Sequence, residues 1–415
     1  MFARTTFADD RVHNGKADRM RKRSVSVAAF GIAATFALAA CSSSGGSSTS
    51  SSPAGGSSST PETSASSSAP PPSSSAPSSS TGGGTGGIDG KGAKVGIILP
   101  DTTSSPRWVS ADPQALAADC KKYNLDCQIQ NADGDAGKMK TIAEQMEASG
   151  IKVLMIVNLD QASGAAIEQE AAKAGVTPVD YDRLTPGGGA ALYVSFDGVA
   201  VGKAQGTALT QCPQVKGMKS VQYVEIDGAA TDNNATLFNQ GYESVLSKTP
   251  GWKLVDEQDG NWDATTAGRE FNSMLNNNPD IKAVMVANDT MAGAVITDLK
   301  RQHLNGKVAV SGQDATAGGL QQVMLGNQCF TIYKPSAEEA DPAIKAIAQL
   351  ANGQAPQTST TVTDPTTHKK VPAILAKPVV ITKANVALPI NDNYTPKKTV
   401  CTGQFASLCT KNGVK

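Results

Sequence analysis

Polar and aromatic side chains gather in small groups along this chain. They are Asp101 with Arg107 and Trp108; Tyr181, Asp182 and Arg183; Asp232, Asn233 and Asn234; Trp262; Asn288 and Asp289; Gln313 and Asp314; and Tyr333 and Lys334. Asp and Asn accept hydrogen bonds, while Arg, Asn and Lys donate them. An indole adds a flat apolar face. Together these suit a polyol ring, whose hydroxyls both donate and accept and whose C–H faces are apolar. The charges are mixed and there is no Gly-rich phosphate cradle, which disfavours a strongly anionic ligand. Each group alone has a plainer reading. Asp232 and Asn288-Asp289 are good helix caps, Arg107-Trp108 a surface packing pair, Trp262 a core residue, and Asp314 and Lys334 solvated charges.

Other chemistries find less support. The three histidines, His13, His303 and His368, lie far apart, which weakens a zinc site or a histidine base. Asp133, Asp135 and Glu144 imitate three positions of a calcium-binding loop, but Lys138 stands where the turn needs Gly. That stretch reads as a turn and helix cap. No metal and no cofactor are expected.

The groups acquire meaning from the elements that carry them. Apolar strands are expected at 94–99, 127–131, 153–159, 177–181 and 192–196. Amphipathic helices are expected at 113–123, 138–148, 162–174 and 199–209. The alternation then restarts, with strands at 221–226, 254–257, 283–287, 308–311 and 330–333. A helix at 342–351 and a strand within 373–381 follow. Continuous apolar strands alternating with helices imply parallel sheets covered on both faces. Two sets of about five strands fit two doubly wound α/β lobes. The late helix and strand imply a multi-strand hinge, with the chain crossing between lobes near 195–197, 333–335 and 376–381. The expected lobes are 93–195 with 336–376, and 198–332 with 380–415. In open α/β sheets ligands sit beyond the carboxyl ends of the strands. The polar groups occupy those ends in both halves, so they converge on one cleft.

The 415 residues carry 37 basic and 37 acidic side chains. Such neutrality argues against nucleic acid as a partner, because phosphate binding needs a cationic face. Arg21-Lys22-Arg23, an uncharged run over 24–40 and Leu38-Ala39-Ala40-Cys41 describe an export signal. The basic head follows Met20, so translation starts at either Met1 or Met20. The apolar run is short for a membrane-spanning helix. Leu-Ala-Ala-Cys resembles a bacterial lipobox, which implies diacylglycerol on Cys41 and anchoring to the outer face of the cytoplasmic membrane. Residues 42–92, nearly all Ser, Gly, Pro and Thr, bury too little apolar surface to order and read as a tether. Beyond Cys41 remain six cysteines, an even number suited to disulfides in an exported chain. Proximity favours Cys120–Cys127 and Cys401–Cys409. Cys212 and Cys329 then pair by elimination, unless some remain free buried thiols.

The ordered set of motifs resembles the periplasmic sugar-binding proteins of ABC importers, type I in fold, in particular those for D-xylose. Its stretches are Arg107-Trp108, 181–183, 195–197, 232–235, Trp262, 287–293, 311–315, 333–335 and 352–354. The resemblance spans about 94–385. It implies sugar contact by Arg107, Trp108, Arg183, Asp232, Asn234, Trp262, Asn288, Asp314 and Lys334, with the two tryptophans on opposite ring faces. It also implies lobe closure and an ABC permease as partner, with the protein acting as a monomer. The stretch 102–106 is less charged than in the family, 256–262 looks shortened, and Cys401 and Cys409 are additions. D-xylose is the first expectation and another aldose such as glucose the second; a sensor role is a further alternative. An enzyme using Asp232 and Asp314 as a carboxylate pair is disfavoured, because Arg183, Arg107 and Lys334 are expected to hold both ionised. A sugar-responsive repressor needs a DNA-binding helix pair where this chain has an export signal.

Overall fold

The computed structural model describes residues 87–415. The export signal, Cys41 and the tether up to residue 86 lie outside the described residues. Of the stretch read as tether, residues 88–92 join the body. Ile88 packs against the first core, and the Gly90 and Gly92 N–H groups donate to Tyr123 O and Asn124 O at 2.7 and 2.8 Å. A short apolar foothold in a Gly-rich run suffices for this, which composition alone does not reveal.

The first half runs β1 (Ala93–Leu99), α1 (Ala111–Lys122), β2 (Leu125–Asn131), α2 (Ala136–Ala148), β3 (Val153–Ile156), α3 (Gln161–Lys173), β4 (Thr177–Tyr181) and β5 (Leu192–Phe196). These strands are parallel in the order β2-β1-β3-β4-β5. β1 shows why both faces must be covered. Val95, Ile97 and Leu99 enter a core roofed by α1, while Ile98 faces α2 and α3, the two-residue alternation of a strand.

After β5 the chain leaves through α4 (Gly198–Thr210) and builds β6 (Val221–Asp227), α5 (Asn233–Leu246), β7 (Trp252–Asp259), α6 (Ala264–Asn277), β8 (Ala283–Val286), α7 (Asp289–Arg301) and β9 (Ala309–Val310). The order β7-β6-β8-β9 repeats that of the first sheet. α8 (Ala317–Leu325) leads to β10 (Thr331–Tyr333). β10 continues the ladder past β9, with Cys329 N–H to Val310 O at 2.8 Å and Asp314 N–H to Ile332 O at 2.7 Å. Here too the faces alternate. Val224 and Ile226 pack towards α6 and α7, and Val221 and Tyr223 towards α4 and α5. Helices α4 and α5 approach so closely that a Cβ on Gly202 would stand 2.1 Å from Phe238 O, which only glycine permits.

The chain then returns. α9 (Ser336–Ala351) packs Ala343, Ile344 and Ile347 into the core of the first sheet. It begins six residues before the expected start and contains Pro342. Proline favours a first turn, but Ser336 and Glu339 are buried against Asp112 and Arg107, and that tertiary contact extends the helix backwards. The expected strand within 373–381 is two strands. β12 (Lys370–Ala376) joins the first sheet beside β5, and β13 (Val379–Ile381) pairs antiparallel with β10. β11 (Thr360–Thr363), unanticipated and mostly exposed, pairs antiparallel with β12. Three connections therefore link the lobes: β5 to α4, β10 to α9, and β12 to β13.

Short helices α10 (Leu388–Asn391), α11 (Lys397–Val400) and α12 (Phe405–Lys411) finish the chain against α8. Cys120–Cys127, Cys212–Cys329 and Cys401–Cys409 stand bonded, with Cα separations of 6.2, 5.8 and 5.8 Å. In the stretch imitating a calcium loop, Asp135 caps α2 by accepting from Lys138 N at 2.9 Å, and Asp133 pairs with the Lys138 side chain. No helix among the described residues is long and apolar enough to cross a membrane.

Candidate ligand-binding site

A small pocket lies between the lobes, at the carboxyl ends of both sheets. It is lined by Arg107, Trp108, Arg183, Asp232, Asn234, Trp262, Asn288, Asp314 and Lys334, so the nine residues expected from sequence meet in one place. Five more complete the wall: Ser104, Ser105, Asp182, Phe238 and Gln313. Asp182 and Gln313 directly precede expected residues, and Phe238 lies one helical turn beyond Asn234, where the helix period places it on the same face. Ser104 and Ser105 carry no signal beyond their nearness to Arg107.

The first lobe contributes a corner built around one buried guanidinium and its acidic partners. Arg107 sits in a 3-10 turn (Pro106–Val109) after β1 and is 2 % exposed. Its Nε and Nη2 donate to the two oxygens of Asp112 at 2.7 and 2.6 Å, Nη2 also to Glu339 at 2.5 Å, and Nη1 to Asp182 at 2.9 Å. Asp112 accepts in addition from Tyr181 and Ser336, at 2.8 and 2.9 Å. Four of the five guanidinium hydrogens are thus spent on protein. The cation also lies 4.5 Å from the Trp108 ring centroid, and the Trp108 Nε1 donates to Ser104 Oγ at 3.2 Å. Burial pushes Glu339 up to about 8 despite Arg107.

The second lobe presents helix N-termini. Asp232 caps α5, accepting from Asn234 N at 2.8 Å through Oδ1. Its Oδ2 accepts from Trp262 Nε1 at 3.1 Å and forms an ion pair with Arg183 Nε at 3.1 Å. Asn288 caps α7 through Oδ1, with Met291 N at 3.0 Å, and turns its Nδ2 across the cleft to Ser104 O at 3.0 Å. Other bonds also cross: Asn234 Nδ2 to Asp182 O at 3.0 Å, and the Arg183–Asp232 pair. The capping reading and the site reading of Asp232 and Asn288 are therefore the same fact. Capping fixes one carboxylate or amide atom and leaves the other for the cleft.

Lys334, on the hinge after β10, places its Nζ 3.6 Å from Asp182 and 3.5 Å from Asp314. Burial disfavours its charge, but the two carboxylates outweigh burial and raise its pKa. Asp182 shows the mirror effect. Burial alone would raise its carboxyl, yet Lys334, Arg107 and Arg183 hold it below the ordinary range. Asp232 departs from expectation: burial outweighs Arg183 and its carboxyl is raised. The acid that the cations hold down is Asp182. Three site residues adopt left-handed backbone, Asp182 at φ +59, Trp262 at +57 and Asp314 at +92. Non-glycine residues do so only where their surroundings fix them. Two polar atoms on the wall, Ser105 Oγ and Gln313 Oε1, are buried without a hydrogen-bond partner.

Residues 95–355 match the periplasmic binding protein domain family. The chain is 32 % identical over 302 residues to the D-xylose-binding periplasmic protein of Escherichia coli K12, covering 71 % of this chain and 88 % of that one. The chain belongs to the periplasmic sugar-binding proteins. This family is one of solute-binding proteins that work outside the cytoplasm. Another relative is the multiple sugar-binding periplasmic receptor of Rhizobium radiobacter, 28 % identical and covering 70 % of this chain and 87 % of its own. Among solved structures, a carbohydrate transporter solute-binding protein from Chloroflexus aurantiacus in complex with D-glucose aligns with a TM-score of 0.65 and 29 % identity, over 74 % of this chain and 97 % of that one. For a periplasmic binding protein, a buried interlobe pocket bridged by hydrogen bonds is the closed arrangement, with hinge closure as the motion that makes it.

Proposed function

We propose that this protein binds one monosaccharide, D-xylose first and another aldose such as glucose second, in the pocket between Trp108 and Trp262, and delivers it to an ABC permease. The carrying observation is the pocket wall. It joins two indoles to a set of charged and amide side chains, and it holds two buried polar atoms, Ser105 Oγ and Gln313 Oε1, without protein partners. Buried polar groups are normally satisfied, and a ring of hydroxyls supplies both a donor and an acceptor wherever one is needed. The pocket is small, which favours one ring over a chain of sugars. The D-xylose-binding relative supports the pentose, and the glucose-bound structural neighbour supports the second aldose.

In this reading the nine residues foreseen in the sequence contact sugar, and the lobes, 93–195 with 336–376 and 198–332 with 380–415, open about the three connections. The protein works as a monomer, held to the membrane by lipid on Cys41. Calorimetry with D-xylose, L-arabinose, D-ribose, D-glucose and D-galactose tests it. Xylose should bind at one site per chain, and Arg183→Ala should weaken binding by roughly 2–4 kcal/mol through an unpaired buried Asp232. Tight ribose or galactose binding with xylose inert would overturn the sugar assignment.

A further inference from the structure

The α5 side of the second sheet holds a concentration of carboxylates that sugar binding does not use. Tyr223, Glu225 and Asp227 alternate on β6 with the core residues Val224 and Ile226. Opposite Glu225 and Asp227 in register stand Glu257 and Asp259 of β7. From α5, Asn239 Nδ2 donates to Asp227 at 3.2 Å and to Glu225 at 3.4 Å, and the Tyr242 hydroxyl donates to Asp227. Tyr223 donates to Glu243 Oε1 at 2.7 Å.

Carboxylate oxygens of Glu225, Asp227 and Glu257 lie within 4.8 Å of one another. Among the described residues, no Lys or Arg forms an ion pair with these three, Glu243 or Asp259. Glu225 is fully buried, and its Oε1 accepts no hydrogen bond from any amide, hydroxyl or cationic group, with only the acid Glu243 as a neighbour able to share a proton with this carboxyl. A buried carboxylate is costly without a counter-charge and filled lone pairs, so this corner needs a positive species.

We propose that Glu225, Asp227 and Glu257 form a binding site for a hard divalent cation of the calcium type. Every donor in reach is oxygen, which selects calcium-like ions over zinc or copper. Calcium takes six to eight oxygens in flexible geometry. A Glu225 carboxylate oxygen supplies one ligand, Asp227 and Glu257 supply others, and water reaches the site past exposed Glu257 and Asp259. This differs from the calcium-loop imitation at 133–144, whose acids cap a helix and pair with Lys138. It was hidden in the sequence because its ligands come from two strands brought together only by the register.

The site lies behind the sugar pocket. Asp227 O accepts the Gly260 N–H at 2.8 Å, in the turn just before Trp262. A bound ion therefore ties the end of β6 to the end of β7 beneath Trp262. Burial first, with Glu243 and Glu257 respectively among the added causes, pushes Glu225 up to about 11 and Asp227 to about 8. Protons are the competing counter-ion.

Calcium titration of the EDTA-treated full chain decides between the two, read by calorimetry and by terbium luminescence under tyrosine excitation, with Tyr223 and Tyr242 as antennae. One saturable calcium site is expected, with Kd in the ~10⁻⁴–10⁻³ M range of extracellular modules or tighter. Terbium emission should be displaced by calcium, and the melting temperature should rise with calcium concentration. Glu257→Gln, on the exposed edge and safe for folding, should weaken calcium by at least about tenfold by removing a ligand charge. Glu225→Gln should abolish both signals. Absence of heat and of terbium emission in the wild type at millimolar calcium would overturn the site and leave protonated carboxyls as the answer. Wild-type calcium affinity in a folded Glu257→Gln together with Glu225→Gln would overturn it equally. None of these readouts involves sugar.

Discussion

Asp182 offers the sharpest test of how the pocket is held. Replacing it with Asn keeps the shape and removes the charge. Its Oδ2 accepts from Arg107 Nη1 at 2.9 Å and lies 3.6 Å from Lys334, and its Oδ1 accepts from Asn234 at 3.1 Å. An amide must turn either its NH₂ or a neutral oxygen to these donors. Each hydrogen bond to a charged group contributes about 1.5–3 kcal/mol, and leaving buried cations short of a partner costs about 3–5 kcal/mol. We therefore expect Asp182→Asn to lower unfolding free energy by about 3–5 kcal/mol at pH 7 in urea titrations without sugar. The pH dependence follows from the depressed carboxyl. With a folded pKa below the unfolded value of about 3.9, the wild-type advantage is full above that value and is lost as pH falls through the folded pKa. The gap between variant and wild type should hold from about pH 6 to 8 and narrow below about pH 4. A loss under about 1 kcal/mol, the size of an ordinary exposed ion pair, or a gap unchanged at low pH, would refute the view that Asp182 is the acid the cations share.

Gly228→Ala would place a Cβ 2.0 Å from the Trp262 ring; overpacking of about 1–3 kcal/mol should displace the indole, and a drop in calorimetric xylose affinity at nearly unchanged secondary structure checks it. Removing Cys212–Cys329, which spans 117 residues, should lower stability by about 5 kcal/mol, against less than about 3 for Cys120–Cys127, which spans 7; denaturant midpoints of the two double Ser variants give the comparison. Cys41→Ser should release the protein into the medium and abolish fatty-acid labelling, and labelling that persisted would overturn Cys41 as the lipidated residue.

Much of this molecule was readable before any coordinates, and the reason is physical. Strands buried on both faces write continuous apolar runs, as at β1 and β3, and polar residues at their carboxyl ends stand out against them. Hence Arg107, Arg183, Asp232, Asn288 and Asp314 could be placed together from strand order alone. What escaped has a common cause: tertiary partners absent from any local window. β11 is exposed and weakly apolar, so nothing in its composition marks it as the edge strand beside β12. α9 begins at Ser336 because Asp112 and Arg107, more than two hundred residues earlier, bind its first turn. Asp182 was gathered with Arg183 at the end of β4 but not counted among the expected sugar contacts, because only the folded hinge brings Lys334 to it. Asp232 was expected to be held low by Arg183, but complete burial counts for more than one cation at 3.1 Å.

A crystal structure of the protein grown with D-xylose tests the central claim most directly. One pyranose ring should lie between Trp108 and Trp262, with hydroxyls within hydrogen-bond distance of Ser105 Oγ and Gln313 Oε1 and of the Asp314 and Arg183 side chains. A sugar bound elsewhere, or one in the pocket that leaves those two atoms without partners, would contradict it.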